Sequence, residues 1–406
     1  MKEKEYNKNY TLSMILVSCI FIASNRFFYL LPLPQLLAQQ VSNVLLLAIV
    51  STIAFFIYIL FISYKDYGRF EKEIIILYII VLWNANYMYR TYNYSSTQIL
   101  WGIIPFLILL GYFPVTYLIK NYGLDPFARI IEIISIILGI VAITQTIVYR
   151  LNGNIFLNII TSSNFNGRLS GICDGVMRVG ILVSLYQFIE NRKSLRLHIL
   201  NFIISLLCII FVDQSRIYLM SVLIGVLFMI IAKDYHKRKA YFDYFIYLLT
   251  FIAIAIFLQV IINSLLNTLS DVNNGSNYAR RYAIEYFFSQ YPTHFWSGLG
   301  IVVPDESNIY YHLITGIYGI YNYNDVGIFG LMASMGIFAV AWYIWIIIKS
   351  FILTKKSKYK LLNAGLIVEL LVSIFTMSYL DRGLLVSLMM FLAIIGSGQY
   401  NNEQQY

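Results

Sequence analysis

Nine arginines suggest where this chain does chemistry: Arg26, Arg90, Arg150, Arg168, Arg178, Arg216, Arg280, Arg281 and Arg382. A guanidinium is planar and presents a fork of donors that matches phosphate or carboxylate oxygens two at a time. Each of the nine falls on one expected side of the apolar runs, or within that half of a run. The fifteen lysines (2, 4, 8, 65, 72, 120, 193, 233, 237, 239, 349, 355, 356, 358 and 360) all fall on the other. A generic solvated surface mixes both cations, so a face served by arginine alone reads as an anion site. The competing reading neutralises each arginine with a carboxylate such as Asp174, Asp213 or Asp381, and Arg382 beside Asp381 fits it best. A long polar segment, 263–325, adds Asp305, Glu306, Asp325, His294 and His312. Asp325 and His312 are the candidates to accept a proton from, or orient, a reacting hydroxyl. The plainer alternatives are that Asp325 and Asn324 cap the helix that follows and that His312 packs among Tyr310 and Tyr311.

The elements that must hold these groups are apolar helices. The chain is 59% hydrophobic and 12% charged, with mean hydropathy +0.71, whereas soluble domains are about 25% charged. Runs of the length needed to cross about 30 Å of hydrocarbon appear at 11–31, 41–63, 73–89, 99–119, 128–149, 172–190, 196–212, 215–232, 241–263, 324–349, 361–380 and 383–397. The expected fold is therefore an all-α polytopic membrane protein of about twelve transmembrane helices. It forms one transmembrane domain over residues 1–406, with a large external loop between spans nine and ten. The runs are continuous rather than alternating, which argues against a barrel. Lysine on one side follows the positive-inside bias and places both termini in the cytoplasm. The net charge of +9 is then topogenic, and nucleic acid is not an expected partner. Cys19, Cys173 and Cys208 lie in or near apolar runs without metal-ligand spacing, and no Asp-x-Asp pair or histidine cluster is present to hold a metal.

Depth makes some charges costly. Arg26 and Arg178 lie about five and six residues inside their runs, several ångströms deep at 1.5 Å per residue. A charge at the centre of a membrane helix costs about 2.5–3.5 kcal/mol on insertion scales unless it finds a partner or a cavity. Asp174 and Arg178 are four apart and are expected to share a helix face. Glu369, near the middle of the eleventh run, either pairs with a buried arginine or titrates in a proton path. The stretch 278–291 reads as an interfacial helix in which Arg281 pairs with Glu285 while Tyr282, Tyr286, Phe287 and Phe288 face acyl chains. Gly298 and Gly300 read as turn residues that fold the loop back.

The stretches Arg168-Leu-Ser-Gly171 and Asp213-Gln-Ser-Arg216 each precede or open an apolar run. Tyr278-Ala-Arg-Arg-Tyr-Ala-Ile-Glu-Tyr-Phe-Phe-Ser-Gln-Tyr-Pro292, Ser297-Gly-Leu-Gly300 and Asp325-Val-Gly-Ile-Phe-Gly-Leu-Met-Ala-Ser-Met-Gly336 follow in order. In order, spacing and sidedness this resembles the O-antigen and capsular polysaccharide polymerases (the Wzy family) and the related O-antigen ligases. The resemblance covers about 165–397; before that it rests on hydropathy alone. It implies a GT-C-like, bacterial inner-membrane glycosyltransferase that is inverting, metal-independent and without a cofactor. Such an enzyme moves a growing glycan from polyprenyl (undecaprenyl) pyrophosphate onto a lipid-linked repeat unit, in lipopolysaccharide, capsule or exopolysaccharide synthesis. Its partners would be those lipid-linked repeat units, the bilayer, a chain-length regulator and a flippase. Arg168, Arg216, Arg280 or Arg281, and Arg178 would hold the pyrophosphate, the first two aided by helix N-termini. Asp325 and His312 would serve the acceptor. Ligases carry a histidine just before the span that follows the loop; here Asp325 stands in that neighbourhood and the nearest histidine is His312. Ligase activity, or flippase-type transport of the same lipid-linked sugars, are the alternatives. Against transport, no internal repeat is evident.

Overall fold

The computed structural model describes residues 2–30, 39–62, 68–157, 175–190, 194–214, 216–231, 275–301, 311–316, 319, 321–376 and 378–398. The expected ninth run, Arg168, Asp174, Asp305 and Glu306 lie outside these residues. Among the described residues the chain is all-helical. We number its main helices α1 (Lys2–Ser24), α2 (Gln39–Ile62), α3 (Glu71–Tyr92), α4 (Ser96–Tyr122), α5 (Leu124–Asn152) and α6 (Val176–Glu190). There follow α7 (Leu195–Asp213), α8 (Arg216–Ile231), α9 (Gly275–His294), α10 (Gly327–Thr354), α11 (Lys360–Ser373) and α12 (Leu385–Ser397). Among the described residues five segments are long and apolar enough to cross a membrane: Val44–Ile62, α4, α5, α7 and α10. Leu219–Ile230 and α12 are apolar but shorter.

Side-chain placement explains what these helices are solvated by. Exposed apolar residues recur at helical spacing: Ile49, Ile53, Phe56 and Leu60 on α2; Ile75, Ile79 and Leu82 on α3; Ile133, Ile137 and Ile140 on α5; Ile199, Ile203, Leu207 and Ile210 on α7. Stripes this long are a liability in water and ordinary in lipid, where helices satisfy their own backbone. By contrast all 13 residues of α12 are buried, so it is a central post, apolar all round because protein surrounds it.

Contacts sort the helix ends into two groups. The Tyr10 and Tyr122 rings meet at 5.0 Å. Lys349 pairs with Glu73 and donates to the Arg69 carbonyl at 2.6 Å. Gln187 donates to Asp125 at 3.0 Å, and the Lys358 amide donates to the Gly398 carbonyl at 2.7 Å. These bonds gather the starts of α1, α3 and α5 with the ends of α4, α6, α10 and α12, and every described lysine lies at this end or in the adjoining turns. The opposite end carries Arg26, Arg90, Arg150, Arg178, Arg216, Arg280, Arg281 and Arg382. The two ends are called the lysine end and the arginine end below.

At the arginine end α10 is broken. Gly336 has φ 75° and ψ −173°, which frees carbonyls of the preceding turn. The segment after α9 fills the gap: the Leu299 and Gly300 amides donate to the Ala333 and Ser334 carbonyls at 2.6 and 3.0 Å, and the Ile337 amide donates to the Phe295 carbonyl at 3.0 Å. Asn84 of α3 reaches the Met335 carbonyl at 3.3 Å. Irregular backbone is tolerated at such depth only when its polar groups are met. Gly298 (φ 62°) makes the approach possible, since a Cβ there would lie 2.6 Å from the Ala333 oxygen. The expected fold-back of Ser297-Gly-Leu-Gly300 is thus a docking of loop backbone onto a helix break.

Candidate functional site at the arginine end

α9 lies against the outer part of α10. Ala283 and Phe287 of α9 pack with Leu299, Val326 and Ala333, and the Tyr291 hydroxyl donates to the Phe329 carbonyl at 2.8 Å. This corrects part of the interfacial-helix reading. Phe287 is fully buried against protein. Tyr286 stacks on Tyr321 and donates to the Leu313 carbonyl at 3.2 Å. Phe288 stays half-exposed, as expected of a residue facing acyl chains. A mixed aromatic helix offers two apolar faces, and protein took the one bearing the small residue Ala283.

That choice separates the two adjacent arginines. Ala283, Ile284, Phe287 and Tyr291 lie three, four, seven and eleven positions after Arg280, which puts Arg280 at the middle of the docked face, and it is half-buried. Arg281 points away and pairs with Glu285 at 3.2 Å, with both side chains largely exposed. Among the described residues Arg280 has no ion-pair partner, so the inward cation of this helix is Arg280.

The start of α10 is tied to the turn after α11, because the Gly327 and Ile328 amides donate to the Thr376 and Ile374 carbonyls at 3.0 and 2.8 Å. Backbone thus meets the first two amides of α10, and the 3-10 turn Tyr323–Val326 is capped by Asn322, whose side chain accepts from the Asn324 amide at 3.0 Å. The Asp325 side chain lies outside the described residues. These ties bring the turn holding Asp325 against residues 378–382. A cleft forms there, with Tyr323, Asn324, Ser334, Ser378, Asp381 and Arg382 over an apolar floor that includes Phe106, Leu331 and Met335. The cleft is partly open, with a cavity volume of about 30 Å³. The sequence reading gave Arg382 a purely local partner; the structure puts it and Asp381 in a cleft shared with Asn324, and Tyr323 feels both charges.

The other expected residues are spread around this end. His312, in a short helical turn, is exposed, and its Nδ1 faces the Gly316 carbonyl at 3.3 Å. A carbonyl only accepts, so Nδ1 carries the hydrogen and Nε2 of the neutral ring is left as an acceptor. His294 is bonded through Nδ1 to the Tyr87 hydroxyl at 2.8 Å, and burial pushes its pKa below the ordinary histidine value. Arg216 opens α8, but its side chain, like all of Arg168, lies outside the described residues. Arg150 donates to the Phe211 carbonyl at 3.3 Å, on the π turn that ends α7. Arg26 is buried beside the Tyr29 ring in a left-handed turn.

Arg178 is not among the residues that line the cleft. It is 4% exposed, on α6, and close enough to the Glu369 carboxylate of α11 to act on it electrostatically. Glu369 is 1% exposed and also accepts from the Tyr379 hydroxyl at 3.0 Å. The deep glutamate thus has the buried arginine that the first of its two readings requires. α6 begins at Val176, after Gly175 at φ 58°; Asp174, expected to share a helix face with Arg178, lies outside the described residues. Among the described residues no three His, Cys, Asp or Glu side chains cluster as metal ligands.

No known family model matches this chain, and a search of curated proteins finds no match.

Proposed function

We propose that the chain is a polysaccharide polymerase of the bacterial inner membrane, working on polyprenyl-pyrophosphate-linked glycans at its arginine end. One observation carries the reading: Arg280 sits on the docked face of α9 and Arg382 lines a cleft with Asn324 and Asp381, while the described lysines lie at the far end. Arg168 and Arg216 complete the proposed diphosphate site. Arg178, held beside Glu369, supports the helices behind it.

In the reaction, an acceptor hydroxyl oxygen attacks the anomeric carbon from the side opposite the leaving group. The bond from that carbon to the phosphate oxygen breaks, and its electron pair leaves with the lipid diphosphate. Preorganised guanidiniums stabilise the charge gathering there. The hydroxyl proton passes to a base, for which Asp325, His312 and Asp381 are the candidates.

The experiment is a glycan chain-length assay in a deletion strain carrying the full-length gene or its variants. Loss of long polymer with single repeat units still attached supports the polymerase. Long polymer stranded on its lipid carrier replaces it with a ligase, and repeat units trapped on the cytoplasmic leaflet replace it with a flippase. The transport reading has its own support in a buried acid–histidine pair, Glu132 and His198, near the lysine end, where a glycosyltransferase working at the arginine end needs no charge.

A further inference from the structure

The start of α1 and the end of α2 leave a groove between them at the lysine end. Among the described residues, Asn7, Lys8, Thr11, Leu12 and Ile15 of α1 line one side, and Ile57 and Phe61 of α2 line the other. The groove is open, with a volume of about 600 Å³, the size of a small-molecule site.

Helix spacing explains why side chains leave it unfilled. α1 turns Ser13, Leu16, Val17 and Ile20 into the protein, where all four are buried. Leu12 and Ile15 stand on the flank of that stripe, and Ile15 is 53% exposed. On α2, Ala54 and Tyr58 are buried while Phe61 is 62% exposed. Both helices therefore give the groove their outward flanks.

The lining sorts by depth. Tyr10, whose ring meets Tyr122 at 5.0 Å, marks the level at which aromatic residues gather at a membrane surface. Along the helix axis Lys8 lies roughly 3 Å to the watery side of Tyr10, and Ile15 roughly 7.5 Å to the other. Ile57 and Phe61 fall in the last turns of Val44–Ile62, a segment apolar enough to cross a membrane. The groove is thus polar at headgroup depth and apolar beneath it.

Its polar mouth has donors to spare. The Thr11 hydroxyl donates to the Asn7 carbonyl at 3.0 Å, which spends its hydrogen within the helix. The Lys8 ammonium is exposed and meets no carboxylate among the described residues, unlike Lys349, which is paired with Glu73. Lys8 and the Asn7 side-chain amide are left to bind an anion. A zwitterionic headgroup brings its own cation beside its phosphate and would set it against Lys8; an anionic headgroup brings none.

We propose that this groove binds one anionic phospholipid of the leaflet at the lysine end. Its phosphate lies at Lys8 and Asn7, and the upper part of one acyl chain lies between Leu12, Ile15, Ile57 and Phe61. The lipid completes the packing of α1 on α2 whatever substrate occupies the arginine end. The alternative is solvation by any lipid present, without preference for its headgroup.

Photolabelling of the full chain in phosphatidylcholine nanodiscs separates the two. Two probes carry the same diazirine-bearing acyl chain, one on phosphatidylglycerol and one on phosphatidylcholine. The expected result is labelling at 12–15 and 57–61 that is about fivefold stronger with the phosphatidylglycerol probe, the effect of one basic residue at a membrane surface. Lys8→Gln should erase that preference and Lys8→Arg should keep it. Ile57→Trp, which fills the groove, should lower labelling by both probes. Should that variant not fold, the Lys8 variants, changed only at an exposed side chain, decide alone. Equal labelling by the two probes, a preference that survives Lys8→Gln or is lost in Lys8→Arg, or labelling unchanged in folded Ile57→Trp overturns the proposal.

Discussion

The two ends of the bundle treat their cations differently. At the lysine end Lys349 is spent on structure: it joins Glu73 and the Arg69 carbonyl while Trp342 donates to the Glu73 carbonyl at 2.7 Å. A compact ammonium suits that task, a point charge finishing a helix junction. At the arginine end Arg280 is held inward on α9 and Arg382 lines a cleft. The same contrast holds for the buried acids. Glu369 stands beside the Arg178 guanidinium, whereas Glu132 is bonded to the neighbouring imidazole of His198.

The largest effect expected from breaking this contrast is on stability. Replacing Arg178 with Met leaves Glu369 buried without its cation, a loss of about 3–5 kcal/mol, to be read as a fall in the melting temperature of the purified protein. The double replacement of Arg178 and Glu369 by Met and Leu should recover much of it. If the single variant melts like the unaltered protein, Arg178 does not serve Glu369 and rejoins the candidates for the diphosphate. Next come Arg382→Lys and Arg280→Lys, which keep charge and remove the two-point grip. Each should lower polymer formation about 100-fold, in the range seen for loss of one preorganised donor, with unchanged melting. Full-length polymer in both would leave the cleft without a role.

A smaller effect sharpens the account of α9. Burial holds His294 below the ordinary histidine value, so the unfolded form binds more protons as pH falls past about 6.5. The stability that this site contributes is therefore present at neutral pH and declines below that point. Proteolysis of the 295–301 segment should quicken on acidification, and His294→Gln should flatten the response; a response of equal slope in the variant removes His294 from the explanation. The least effect is expected of Arg281→Ala. Its exposed pair with Glu285 is worth about 0.3–0.5 kcal/mol, so melting and polymer length should barely move, and a large loss of polymer would reverse the assignment of the two arginines.

Much of the helical layout was legible. The apolar runs gave helices over most of their described residues, the described lysines fell at one end, and the spacing of Arg281 and Glu285 gave their pair. What was not legible depends on contacts between distant segments. Glu132 and His198 are 66 positions apart, and neither run announces the other. Arg382 looked neutralised by its neighbour because the cleft it lines also needs Asn324, brought in by the amides of Gly327 and Ile328. Phe287 could not be assigned from pattern alone, since lipid and protein select the same apolar side chains. Gly336 stood in a quoted motif without a reason; the left-handed backbone that breaks α10 supplies one.

The most direct measurement is equilibrium binding of undecaprenyl pyrophosphate to the full chain in nanodiscs, with a monophosphate analogue as reference. The account predicts tighter binding of the diphosphate, reduced at least tenfold by Arg280→Lys and by Arg382→Lys and unaffected by Lys349→Arg. Equal affinity for both lipids, or a loss of binding from the lysine-end substitution as large as from the arginine-end ones, would contradict it.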